Sequence, residues 1–72
     1  MTNFEAKNTI KLTIREHEIL KLIAAEHTSQ EMAEKLSVSM ATIESHRRNM
    51  IKKFGVRNSV GIVKLALNLG FL

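Results

Sequence analysis

The sequence predicts an all-α fold of four short helices, and three observations carry that prediction. Apolar residues recur at three- and four-residue intervals in four separate segments, the spacing that puts them on one side of a helix. Two Thr-x-x-Glu sets, Thr13 to Glu16 and Thr28 to Glu31, have the spacing of capping boxes. Proline is absent and the glycines number only three, two of them, Gly55 and Gly70, just beyond apolar periodic segments where a helix would end.

The first helix is expected over about 14 to 26, with Leu12, Ile19, Leu20, Ile23 and Ala24 as its buried stripe and Glu16, Glu18 and Lys21 facing out. The second, over about 28 to 36, starts at the Thr28 box and buries Met32, Ala33 and Leu36. Ser37 and Ser39 then flank Val38, an apolar plug for a tight turn, and Ser39 caps the third helix. Residues 39–54 put Ile43, His46, Met50, Ile51 and Phe54 on one side and Ala41, Glu44, Ser45, Arg48 and Lys52 on the other, and Gly55 ends the helix in a left-handed turn. His46 should be half-buried, and Met32 and Met50 fill the core. Asn58 caps the fourth helix, 59–69, which stops at Gly70. Ile62, Leu65, Ala66 and Leu69 form one apolar face, and Val60, Val63, Leu67 and Phe71 gather around Lys64 on the other. That second face is read either as apolar surface left in water or as a two-fold contact between copies, with Gly61 allowing close approach.

Seventy-two residues make at most one domain. Cysteine is absent, which excludes disulfides and thiolate metal sites and points to the cytoplasm. Aspartate is absent too, and the few His and Glu residues form no acid, base and nucleophile set, so no enzyme, cofactor or small-molecule substrate is expected. His17, His27 and His46 match no helical metal-pair spacing. Residues 1–11 lack a signal-peptide core and read as a flexible leader to a domain over 12–72, with no membrane span.

Charge supplies the functional signal. Residues 39–57 hold Arg47, Arg48, Lys52, Lys53 and Arg57 against Glu44 alone, and the remaining cations and glutamates cancel, so this strip carries the whole net charge of +4. A localised basic strip is the footprint of a nucleic-acid binder, although a solvated helix face can show it too. Two short helices joined by a tight turn, the second with small polar residues at its start (Ser39, Ala41, Thr42, Ser45), follow the helix-turn-helix plan. Five cations on phosphates would give log affinity against log salt a slope of roughly −4 to −5.

From Leu12 to Leu72, "LTIREHEILKLIA", "SQEMAEKLSVSMATIESHRRNMIKKFGV" and "RNSVGIVKLALNLGFL" jointly resemble the LuxR/FixJ type of DNA-binding domain, also called GerE-like. The resemblance implies a four-helix LuxR-type helix-turn-helix domain of a bacterial transcription regulator, standing alone or as the output domain of a response regulator. It would read promoter DNA with the third helix and form a homodimer through the fourth. Carried over by position, base contacts fall to Glu44, Ser45 and Arg48. Backbone contacts fall to Thr28, Ser29, Gln30, Thr42, Arg47, Asn49, Lys52 and Lys53, with Asn58 and Ser59 offering amides at a helix start. The dimer face is Val60, Val63, Lys64, Leu67 and Phe71. Where many relatives carry lysine this chain has Glu44 and Gln30, so the resemblance does not carry over an operator sequence. Glu44 is read either as an acceptor for the cytosine N4 amino group or as an i,i+4 partner of Arg48. The alternative functions are a protein-interaction module and a sigma-factor-like promoter-reading region, the latter with RNA polymerase as partner.

Overall fold

The computed structural model describes residues 10–72, and four helices account for most of them. They are α1 (Ile14–Ala24), α2 (Ser29–Leu36), α3 (Met40–Phe54) and α4 (Ser59–Leu69). Both capping boxes form. The Thr13 hydroxyl accepts from the Glu16 amide at 3.0 Å, and Glu16 Oε1 accepts from the Thr13 amide at 3.0 Å. Thr28 and Glu31 repeat the exchange at 3.1 and 2.8 Å. Asn58 caps α4 by accepting from the Gly61 amide at 3.1 Å. Gly55 and Gly70 stop α3 and α4 at φ 67° and 88°, a left-handed backbone that costs glycine nothing.

The helix α3 packs against each of the other three, so it is the hub of the domain. Ile19, Leu20, Met32, Ile43, Met50 and Ile62 are fully buried and form the core, with Ala33, Phe54 and Ala66 beside them. The turn between α2 and α3 works as expected. Ser37 takes the left-handed conformation, the Val38 amide donates back to the Ala33 carbonyl at 3.0 Å, and the Val38 side chain packs half-buried against the core.

Several expectations are corrected. The helix α1 ends at Ala24, because Glu26 turns left-handed at φ 66° and the His27 ring donates to the Leu22 carbonyl at 3.2 Å, folding the chain back. Ala24, assigned to the stripe, is exposed. Glu16, expected to face out, is 3% exposed. Its Oε1 meets Lys53 Nζ at 2.6 Å, and the same ammonium donates to the Lys11 carbonyl at 2.9 Å. Burial opposes ionisation of this carboxyl, but the Lys53 hydrogen bond, the Thr13 amide and the Lys53 charge together hold it below the usual carboxylate range. Lys53 therefore fastens the approach to α1 onto the end of α3. Ile10 also packs on the core, so Ile10 and Lys11 belong to the fold rather than to a leader; the rest of that leader, residues 1–9, lies outside the described residues.

Phe71 is a further correction. Its ring meets Phe54 edge-on, with centroids 5.7 Å apart, and its carbonyl accepts from His17 Nε2 at 3.2 Å. An aromatic pair of this kind contributes about 0.5–1.5 kcal/mol beyond its buried area. Phe71 thus closes its own domain instead of extending an outward face.

Gly61 is another. A Cβ there would lie 2.8 Å from the Cβ of Val56, so the close approach it permits is within the chain. Alanine would gain about 1 kcal/mol of helix propensity, but overpacking costs about 1–3 kcal/mol. Gly61→Ala is expected to lower the melting temperature, and adding Val56→Ala should recover part of the loss. A stabilised Gly61→Ala single variant would contradict this packing account.

Candidate nucleic-acid interface

The outer side of α3 is open. Ala41, Ser45, Arg48, Asn49 and Lys52 are exposed, whereas Ile43, Met50 and Phe54 on the opposite side are buried. Ser39 caps the helix by accepting from the Thr42 amide at 3.1 Å, and the two hydroxyls lie 3.0 Å apart, which leaves a low polar profile at its start. Met40 is half-exposed at the first turn. Arg48 has only a long 3.5 Å contact with the Ser45 hydroxyl and is able to swing outward. His46 is half-buried on the core side, near Glu16.

Beside this surface sits a polar network that the sequence reading did not anticipate. Arg47 donates through Nη1 to the Ser59 hydroxyl and through Nη2 to the Ser29 hydroxyl, both at 2.6 Å. Its Nε lies 3.4 Å from Glu44 Oε1, and Ser29 donates its own hydroxyl hydrogen to Glu44 Oε2. Ser29 is the first residue of α2 and Ser59 the first of α4, so one guanidinium draws two helix starts together beside the middle of α3. Helix starts carry unpaired amides and partial positive charge, and they favour anions.

This geometry redistributes the expected roles. The ionic partner of Glu44 is Arg47, three residues on, and not Arg48. Arg47 and Lys53 are both spent on internal partners, so of the five cations in the basic strip Arg48, Lys52 and Arg57 remain exposed without an ion pair among the described residues. Arg57, in the link before α4, is exposed; in the sequence it is marked only as one of the five cations of the basic strip. Thr28 and Asn58 are exposed with their side-chain oxygens engaged in caps, Gln30 is exposed, and Thr42 is half-buried.

On α4, Val60 and Leu67 are 66% and 59% exposed, Lys64 is exposed and Val63 is half-buried, so these four share an outward surface without Phe71. An open groove of about 400 Å³ lies next to it, lined by Ile23, Ala24, His27, Ser59, Val60 and Val63 among others. Among the described residues no cluster of His and Glu could hold a metal ion, and no helix is long and apolar enough to cross a membrane.

The sequence pattern described as "Bacterial regulatory proteins, luxR family" matches residues 10–66. The chain belongs to the luxR family. The four-helix, strand-free architecture of the described residues agrees with this, since the chain superposes on a solved luxR-type fold, the transcription factor GerE, with a TM-score of 0.81 at 33% identity, covering 85% of this chain and 91% of that one. It also superposes on Vibrio cholera VqmA in a ligand–DNA complex, with a TM-score of 0.81 at 35% identity, covering 88% of this chain and 28% of that one. Among relatives known by sequence, the response regulatory protein YgeK of Escherichia coli is 45% identical over 60 residues, and the transcriptional regulatory protein MctR of Rhizobium johnstonii is 43% identical over 61. This luxR-family chain spans 41% of the length of YgeK and 28% of MctR, while 83% and 85% of the chain itself is matched. The family is one of regulatory proteins and not of enzymes.

Proposed function

We propose that this chain binds double-stranded promoter DNA in a sequence-specific way and regulates transcription, with α3 in the major groove. The observation that carries the reading is the open side of α3, where Ala41, Ser45, Arg48 and Lys52 stand clear of the rest of the domain. Small side chains near the start of a helix let it press close to base edges. Glu44, Ser45 and Arg48 meet the bases. The phosphates are met by Lys52, Arg57, Gln30, Thr42 and Asn49, and by the amides at the helix starts around Thr28, Asn58 and Ser59. The chain acts in the cytoplasm, without cofactor or catalysis. It pairs with a second copy through Val60, Val63, Lys64 and Leu67, on half-sites about one helical turn apart, and RNA polymerase is a further partner at the promoter.

Two measurements test this. Binding to a duplex should weaken with salt with a slope of roughly −2 to −3 per monomer, from about −0.9 for each phosphate neutralised by Arg48, Lys52 and Arg57. The slope falls short of −4 to −5 because Arg47 and Lys53 are held by Glu44 and Glu16. A flat response excludes DNA as the ligand. Sedimentation with a palindromic duplex should give two chains per duplex, and Leu67→Glu should reduce this to one; an unchanged two-chain complex removes α4 from the contact.

A further inference from the structure

We propose that Ser29 and Arg47 are positioning residues that hold the Glu44 carboxylate as a fixed hydrogen-bond acceptor for one cytosine, and that neither of them contacts phosphate. This deepens the DNA-binding reading above and rests on it.

A carboxylate on a DNA-facing helix is repelled by the phosphates, and a free glutamate would lose rotamer freedom when fixed against a base. The network around Glu44 offsets both costs before DNA arrives. Arg47 supplies an opposite charge at 3.4 Å, so the carboxylate does not present a bare negative charge. The direction of the Ser29 hydroxyl is dictated by chemistry. Guanidinium can only donate, so the Ser29 oxygen must accept from Arg47 Nη2, and its hydrogen is left for Glu44 Oε2. Arg47 is itself fixed, because its fork spans two hydroxyls that belong to different helices, α2 and α4. Its side chain is only 20% exposed, which leaves little of it to offer a phosphate.

Glu44 keeps capacity to spare. An ionised carboxylate has about four acceptor positions, and one is taken by Ser29 while Arg47 sits beside another. The side chain is 42% exposed, on the flank of α3 that adjoins Ser45 and Arg48. In the major groove cytosine presents its N4 donor, whereas adenine sets the N7 acceptor beside its N6 donor and guanine presents acceptors alone. An acceptor that cannot swing away therefore favours cytosine and rejects guanine. Acceptors held in place before binding discriminate better than mobile ones, since a misplaced partner cannot be accommodated by a change of rotamer.

The test uses the full chain, a randomised duplex pool and four variants, Glu44→Gln, Ser29→Ala, Ser29→Thr and Arg47→Met, with thermal melts as a folding check. Ser29→Ala should reduce the preference for cytosine at one position by roughly tenfold, at the same position that Glu44→Gln relaxes, and leave the salt slope unchanged. Ser29→Thr, which keeps the hydroxyl, should restore the preference. Arg47→Met should also leave the slope unchanged; a slope shallower by about 0.9 would make Arg47 a phosphate contact and overturn the assignment. Should Arg47→Met fail to fold, Ser29→Ala decides alone. An unchanged preference in Ser29→Ala, with the parent binding normally, overturns the positioning role but not DNA binding. A parent that binds no duplex overturns both.

Discussion

Lys53→Met is expected to melt about 10 °C below the parent chain while binding duplex DNA with an unchanged salt slope. Lys53 is the partner of a carboxylate that is 3% exposed, and its removal leaves Glu16 with the Thr13 amide alone. Breaking a fully buried pair costs about 3–5 kcal/mol. Here the lysine side chain is 36% exposed and water screens it, so about 2 kcal/mol is the reasonable figure. In a domain of this size each kcal/mol moves the melting temperature by about 4–8 °C. The pH dependence gives a second readout. The folded Glu16 carboxyl lies below its ordinary value of 4.5, so the pair's contribution is complete above that pH and is lost as pH falls through the lowered value. Glu31, held below the ordinary range first by the Thr28 amide, acts in the same direction. Melting curves should therefore fall on the acid side in the parent, and the fall should be weaker in Lys53→Met. A variant as stable as the parent, with a slope shallower by about 0.9, would return Lys53 to the phosphates.

Arg48→Ala is expected to erase one guanine from the sequences selected out of a random duplex pool. Arg48 is exposed, bound only by a 3.5 Å contact to Ser45, and one turn beyond Glu44 on the open side of α3. Its fork suits guanine O6 and N7, and loss of such a pair reduces discrimination by about 1–3 kcal/mol, roughly 5- to 150-fold. Lys52→Ala provides the contrast: affinity should fall about equally on every sequence, and the salt slope should shrink by about 0.9. A pool selected by Arg48→Ala that matches the parent's pool would exclude Arg48 as a reader.

The local features were legible because they depend on neighbours in sequence. A Thr three residues before a Glu, a Ser or Asn before an apolar run, and a Gly after one each define a helix end through bonds that close within four residues. Periodicity also separated Ile43, Met50 and Phe54 from Ser45, Arg48 and Lys52, so the open side of α3 could be named in advance. Charge could not be assigned in the same way. All five cations of the basic strip look alike in a sequence, and what distinguishes them is a partner 37 residues away for Lys53 and hydroxyls 12 and 18 residues away for Arg47.

The same division holds for Gly61 and Phe71. Their positions in the helical pattern suggested a surface between copies, whereas the structure shows each in contact within its own chain, Gly61 with Val56 and Phe71 with Phe54. The sequence alone thus determined four helices, most of their ends and buried sides, and the family, since each follows from short-range bonding or residue order; the end of α1 and the burial of Glu16 were decided by packing. Only the tertiary structure decided which polar groups remain open to a ligand. Pairing of a charge depends on which side chains the packed helices bring within about 3 Å of it, and that distance is a property of the assembled core.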